Sequence, residues 1–232
     1  MCGRFTLRTP TETIADLFSN LTLPEIEANY NVAPTNSVAA VRHPSSKNGS
    51  GHQEFAWLRW GLLPSWAKEK KMGSRMINAR CETVREKPAY RAAFKRRRCL
   101  VLADGFYEWI NTPDGKQPMY ITMKSDRPFA MAGLWEINKS LDEQPLETCT
   151  VITTSANSLV ADIHDRMPVI LPIDRYDMWL DPAFEDQDAL QDLLEPFDES
   201  KMDARAVSKN VNKVGYNVAD CINPISTQGN LF

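Results

Sequence analysis

No two cysteines in this chain form a Cys-x-x-Cys pair, and the five present, at positions 2, 81, 99, 149 and 221, are odd in number. The pattern argues against a disulfide framework and against a structural zinc site, so Cys81, Cys99, Cys149 and Cys221 are expected to be reduced, buried, small hydrophobes. Long apolar runs are missing too. None approaches the ~18 consecutive residues of a membrane span, and the polar stretch after Arg4 is not a secretory signal; a cytoplasmic protein without membrane contact is expected. Acidic residues are scarce in one place. From Arg59 to Arg98 three Glu stand against thirteen Lys or Arg, a balance of +10, so in a chain of net charge −3 the remainder carries −13. A basic segment in an acidic protein reads as a polyanion-binding face. Trp57, Trp60 and Trp66 are interleaved with its cations, the combination used by grooves for single-stranded nucleic acid.

What the chain does contain is a cysteine directly after the initiator methionine. Excision of Met1 leaves Cys2 as a 1,2-aminothiol whose amine and thiol have reference pKa values of about 8 and about 8.5. Such a pair condenses with an aldehyde, first as an imine through nitrogen, then as a thiazolidine when sulfur closes the ring; alternatively the thiol acts alone in acyl transfer. Gly3 permits close backbone approach, and Arg4 sets a permanent cation beside the nucleophile. With 232 residues, 43% of them hydrophobic and 25% charged, the chain is globular material for one domain, residues 2–232 once Met1 has gone.

In chain order, Thr9-Pro10-Thr11-Glu12 reads as a capping box, followed at helical spacing by Ile14, Leu17, Phe18 and Leu21. Strands are expected near Val38 to Arg42 and Phe55 to Leu62, joined by a mobile loop from Ser45 to His52 with His43 and His52 solvated. Met76 to Arg80, as a strand, places Asn78 and Arg80 on one face. Pro88 to Arg98 reads as a helix with Tyr90, Ala93 and Phe94 inward, and Cys99 to Ala103 as a buried strand. In Asp104-Gly105-Phe106-Tyr107-Glu108-Trp109 a carboxylate lies among aromatics, where desolvation would raise its pKa; Glu108 is thus a candidate general acid or base, the alternative being an outward hairpin glutamate. Further strands are expected over Met119 to Met123, Phe129 to Trp135 and Thr148 to Thr154. A short helix after Asn157 leads to His164, the histidine in the most ordered context, and acidic helices over Ile173 to Leu180 and Asp188 to Leu194 precede a polar tail from Ser208 without a low-complexity repeat.

Met1-Cys2-Gly3-Arg4-Phe5, Asn31-Val32-Ala33-Pro34, Trp60-Gly61-Leu62-Leu63-Pro64-Ser65-Trp66, Asn78-Ala79-Arg80-Cys81-Glu82-Thr83, Ala103 to Trp109 and His164-Asp165-Arg166-Met167-Pro168 together resemble the successive signatures of the SRAP family, the SOS response-associated peptidase or abasic-site processing proteins. The resemblance implies an α/β (α+β) fold, with a curved, barrel-like, mostly antiparallel sheet and flanking helices around a channel for single-stranded DNA. It implies that mature Cys2 joins covalently to the ring-opened sugar of an abasic site and shields the lesion from strand cleavage. The implied catalytic residues are Cys2, Asn78, Glu108 and His164. Arg4, Arg80 and Arg166 would bind phosphates, with Pro34, Trp66 and Thr153 lining the path. No cofactor or metal is needed. The implied partner is single-stranded DNA containing abasic sites, including single-strand/double-strand junctions, met by a monomer associated with the nucleoid. Ala67 stands where some relatives place a second tryptophan. The competing reading is an N-terminal-nucleophile amidohydrolase of the glutamine amidotransferase type, which also opens with Met-Cys-Gly; a non-catalytic nucleic-acid-binding domain would explain the charge but leave Cys2, Glu108 and His164 without a role.

Overall fold

The computed structural model describes residues 2–19, 21–44 and 52–225. Thirteen strands and five short α-helices are found among them: β1 (Arg4–Leu7), α1 (Thr11–Ala15), β2 (Asn29–Val32), β3 (Ser37–Arg42), β4 (Glu54–Trp60), β5 (Asn78–Arg80), α2 (Arg91–Arg96), β6 (Arg98–Ala103), β7 (Gly105–Thr112), β8 (Gly115–Met123), β9 (Phe129–Asn138), β10 (Leu146–Ser155), α3 (Ser158–Ala161), β11 (Arg166–Pro168), β12 (Ile170–Leu171), α4 (Tyr176–Leu180), α5 (Gln187–Asp192) and β13 (Met202–Ala206). The expected barrel-like, mostly antiparallel sheet with flanking helices is what forms. Hydrogen bonding runs β10-β4-β3-β6-β9 and returns from β9 to β10, closing a five-strand ring. Its one parallel seam joins β10 to β4, with Thr148 opposite Arg59 and Cys149 opposite Trp60. A second sheet has the order β13-β8-β7-β1-β2.

Strand composition explains the layering. Successive side chains of a strand face opposite ways, and in β6 both faces are buried: Cys99, Val101 and Ala103 join a core shared with Phe5, Phe106 and Ile121 of the second sheet, while Leu100 and Leu102 join the core beneath the helices. A continuous apolar run is what a strand covered on both faces requires. Behind the second sheet, Tyr107 and Tyr120 pack against Val207, Val211 and Cys221. The C-terminal segment therefore covers the outer face of the sheet that carries the N-terminus. All five cysteines are free and buried, as expected for the four internal ones.

Several local expectations change. The capping box does not form: Thr9 turns its hydroxyl to Asp104 Oδ2 at 2.9 Å, leaving α1 without a side-chain cap and only five residues long. Trp60 is fully buried, packed edge-on to Phe5 at 5.1 Å, so of the three interleaved tryptophans only Trp57 and Trp66 reach solvent. Arg98 is no surface cation either. It is buried and donates to the carbonyls of Phe94, Lys95, Trp179, Asp181 and Phe184, tying the end of α2 to the end of α4. Of the expected loop, residues 45–51 lie outside the described residues; His43 is half-buried and His52 exposed. Strand β13, with its Met-Asp-Ala-Arg-Ala sequence, has too little apolar content to be read as a strand, and forms because β8 offers it a full antiparallel partner from Met119 to Met123.

Candidate active site

The N-terminal strand is an interior one. β1 pairs with β2 on one side and β7 on the other, with Arg4 opposite Tyr107, so Cys2, two residues before Arg4, comes near enough to Glu108, the residue after Tyr107, for the carboxylate to act on its thiol. The pairing is fixed at its far end by Asp104. This buried carboxylate accepts from the Thr6 hydroxyl at 2.5 Å, the Arg8 N–H at 2.6 Å, and the N–H and hydroxyl of Thr9 at 2.8 and 2.9 Å. Gly105 follows because a Cβ there would sit 2.2 Å from the Tyr120 hydroxyl, which is itself 2.9 Å from Thr6 Oγ1.

Asn78 opens β5, which runs parallel to β10 with Val151 opposite Asn78 and Thr153 opposite Arg80. From there Asn78 Nδ2 donates to the Cys2 carbonyl at 2.7 Å. Its Oδ1 is buried without a hydrogen-bond partner among the described residues. Cys2 is wholly buried, and burial first, then the nearby Glu108 carboxylate, push its thiol well above the ordinary range. Its S–H donates weakly to the Arg4 carbonyl at 3.9 Å.

Glu108, on β7, is 2% exposed, and burial raises its carboxyl above the usual glutamate value while the charge of His164 acts in the opposite direction. His164 follows α3, with its N–H donating to the Val160 carbonyl at 2.8 Å. Its Nδ1 lies 3.0 Å from the Arg166 N–H and 2.8 Å from Asp165 Oδ1. The neutral ring accepts from the first and the imidazolium donates to the second, so both protonation states have a partner. Glu108 and His164 share a pocket of about 530 Å3 with Trp109, Lys116 and Asn212, and Trp109 Nε1 donates to Asn212 Oδ1 at 2.7 Å. Two titratable side chains, one of them close enough to act on the Cys2 thiol, are an arrangement suited to proton transfer at a carbonyl.

The other six residues divide. Arg80, Thr153 and Arg166 come together across β5, β10 and β11: Arg166 Nη2 donates to the Thr153 carbonyl at 2.6 Å, and its guanidinium forks onto Glu82. That pairing holds Glu82 below its usual range. Arg80 is exposed and Thr153 fully buried. Pro34 sits in the turn after β2, where Thr35 takes a left-handed conformation, φ 73°, and donates its N–H to the Trp60 carbonyl at 2.8 Å. Trp66 is 57% exposed on the excursion between β4 and β5. Arg4 is engaged internally, donating to Asn31 Oδ1 at 2.7 Å and the Val211 carbonyl at 2.9 Å. Asn31 and Asp165 stand in two of the family motifs but are given no role by the sequence; in the structure Asn31 Nδ2 donates to the carbonyls of Val211, Lys213 and Tyr216. Asn212 lies outside the motifs, and nothing in its sequence context points to the site. Among the described residues no cluster of His, Cys, Asp and Glu suited to a metal occurs, and no helix is long and apolar enough to cross a membrane.

A family model described as SOS response associated peptidase (SRAP) matches residues 1–214. The "Abasic site processing protein YoqW" of Bacillus subtilis (strain 168) is 46% identical over 226 residues, covering 96% of this chain and 99% of that one. The "Abasic site processing protein HMCES" of Gallus gallus is 34% identical over 226 residues, covering 85% of this chain and 66% of its own. A crystal structure of a protein from Bacteroides thetaiotaomicron superposes with a TM-score of 0.83 at 27% identity, covering 97% of this chain and all of that one.

Proposed function

The chain belongs to the SRAP family, and from that premise we propose that it processes abasic sites in single-stranded DNA by joining them covalently to mature Cys2. The observation that carries this reading is the grip of Asn78 on the Cys2 carbonyl at 2.7 Å beside buried Glu108, because it aims the first residue, backbone included, at a pair of proton carriers. Met1 must leave first, since a peptide nitrogen is not a nucleophile. The freed amine then adds to the aldehyde carbon of the ring-opened sugar. Glu108, kept protonated to higher pH by burial, gives its proton to the departing hydroxyl; water leaves and a protonated imine remains beside the Glu108 carboxylate. The thiol gives its proton to that carboxylate as sulfur adds to the C=N carbon, the nitrogen keeps its hydrogen, and a thiazolidine closes with Glu108 protonated again. One water is lost and nothing is oxidised or reduced. Proximity supplies most of the acceleration, since the amine and thiol belong to one residue, and His164 relays protons between Glu108 and solvent.

The balance of +10 from Arg59 to Arg98 favours this reading over the amidohydrolase, whose compact amide pocket gives such a basic segment no role. Exposed Arg80 holds a phosphate beside the lesion, Arg166 takes another by exchanging its Glu82 partner, and Trp66 takes a neighbouring base; we take single strands and single-strand/double-strand junctions as the substrate, and a monomer on the nucleoid as the acting form. The test is incubation of the protein lacking Met1 with an abasic single strand and, separately, with glutamine. A heat-stable adduct on the N-terminal peptide with loss of one water is expected, with no glutamine hydrolysis. An adduct on an internal lysine, or on a protein extended before Cys2, would overturn the mechanism.

A further inference from the structure

A nucleotide inside a strand carries a phosphate on either side, and Arg80 and Arg166 occupy one flank of the Cys2 site. They stand on β5 and β11, both of which pair with β10. Arg4, the cation expected beside the nucleophile, is drawn inward by Asn31 Oδ1 and the Val211 carbonyl at 2.7 and 2.9 Å. The opposite flank belongs to the other sheet. There β7 carries Glu108, and β8 pairs with β7 so that Lys116 stands opposite Asn111 and Pro118 opposite Trp109. Residues opposite one another, and alternate residues of one strand, share a face of a sheet, so Lys116 and Trp109 look out on the same side. The hairpin between these strands is tied down twice. The Thr112 hydroxyl donates to the Gly115 carbonyl at 2.7 Å, and Lys209 Nζ, from the C-terminal segment, donates to the Asp114 carbonyl at 3.1 Å. Asn212 is fixed as well: its Oδ1 accepts from Trp109 Nε1 at 2.7 Å, which turns the two N–H donors of Nδ2 the other way. Lys116 is exposed, lines the pocket of about 530 Å3 that holds Glu108 and His164, and makes no ion pair among the described residues.

We propose that Lys116 and the Asn212 amide form a second phosphate site, which holds the phosphodiester on the side of the lesion away from Arg80 and Arg166. The inference rests on the DNA reading of the Cys2 site and deepens it by giving the strand a hold on each flank. A lysine ammonium is a compact charge on a flexible stem that meets a phosphate without fixed geometry, and the anchored amide beside it adds a directed donor. Phosphate contacts set the register of a strand without reading its bases. Two of them, one on each flank, stretch the sugar between them across Cys2, which suits a nucleotide that has no base to recognise. Lys116 and Asn212 lie outside Arg59 to Arg98, in the part of the chain whose balance is −13. Charge along the sequence gives no sign of this site, because it is made where the β7–β8 hairpin meets the C-terminal segment.

The test uses single strands with a tetrahydrofuran abasic analogue, which cannot react, so that binding is read apart from chemistry. One phosphate at a time, on the 5′ or the 3′ side of the analogue, is replaced by an uncharged methylphosphonate, and affinity is measured by fluorescence anisotropy at several salt concentrations. Neutralising the first phosphate on either side should weaken wild-type binding roughly twofold to fivefold, the scale of an exposed charge pair. Lys116→Ala should erase that penalty on one side only and lower the slope of log affinity against log salt by about 0.7, the share of one phosphate on a single strand. Arg80→Ala should erase the penalty on the other side, and Lys116→Arg should keep both. The site is overturned if Lys116→Ala retains both penalties, if it loses the one that Arg80 serves, or if it weakens every strand equally with the pattern intact, because the ammonium then acts through net charge alone. Crosslinking of a reactive abasic strand is followed in parallel: a one-sided loss in Lys116→Ala without wild-type crosslinking supports the phosphate site and removes the covalent mechanism, and crosslinking with penalties independent of Lys116 does the reverse.

Discussion

Asp104 and Glu108 lie four residues apart, both almost completely buried, and converting each to its amide should separate a carboxylate that holds the fold from one that carries protons. In Asp104→Asn the side-chain oxygen must turn toward Arg8 and Thr9 to keep three acceptor bonds, which puts the amide NH2 toward Thr6. The Thr6 hydroxyl can then accept, sending its own proton to the Tyr120 hydroxyl 2.9 Å away. Geometry survives, but charge assistance on all four bonds to the carboxylate does not. Bonds to ionised groups contribute about 1.5–3 kcal/mol and neutral ones about 0.5–1.5, so the loss should come to about 4 kcal/mol or somewhat more. Glu108→Gln behaves in the opposite way. Burial raises the carboxyl pKa in the folded protein, so the native state binds more protons than the unfolded chain, and wild-type stability falls as pH climbs from the ordinary glutamate range through the raised value. The amide has no such titration: Glu108→Gln should differ least from wild type in acid and become relatively more stable toward pH 8. Crosslinking by it should be slower on the order of 10²-fold or more. Urea unfolding at pH 5 and pH 8, with single-turnover crosslinking followed on denaturing gels, reads both effects. The reasoning is refuted if Glu108→Gln at pH 8 is as destabilised as Asp104→Asn, or if it reacts at the wild-type rate.

Cys2→Ser retains the amine once Met1 has gone but closes only a less stable oxygen ring, so its adduct should be trapped by borohydride and decay without it, whereas the wild-type adduct survives denaturation untrapped; mass spectrometry of both decides. Arg80→Ala should weaken single-strand binding by about 1–3 kcal/mol and lower the slope of log affinity against log salt, as loss of a charged phosphate contact requires; titrations at several salt concentrations measure it. Gly73→Ala places a Cβ 2.7 Å from the Gly61 carbonyl oxygen and should loosen the Trp66 excursion, reducing DNA affinity more than global stability, as calorimetry and anisotropy together would reveal.

Motif order made the family resemblance legible, and apolar patterning made most strands so. Cys99 to Ala103 reads correctly because a strand buried on both faces has only one composition available to it. Contacts between distant segments were the limit. Thr9 has the chemistry of a helix cap, yet Asp104, ninety-five residues on, is the stronger acceptor and takes it. Trp60 and Trp66 look alike in sequence; the first fills the core against Phe5 and the second stands in water, a difference set by the break at Gly61. Arg98 closes a basic run but ends in the interior, because the carbonyls at the ends of two helices meet there. At the site, spacing put Asn78 and Arg80 on one face, but nothing local indicated that Asn78 would hold the Cys2 carbonyl.

The position of β1 inside its sheet has a mechanical consequence. If the proposed adduct forms, a DNA strand joined to Cys2 would pull on the protein whenever the strand is put under tension, and the pull would enter along β1. Because β1 is bonded on one side to β2 and on the other to β7, such a load acts in shear, straining both rows of hydrogen bonds at once instead of opening them one at a time. Arg4 adds a cross-tie from the loaded strand to the Val211 carbonyl in the C-terminal segment. A reactive residue at a frayed end would peel away from the protein under tension; anchored this way, the tether is expected to yield only when the sheet itself fails.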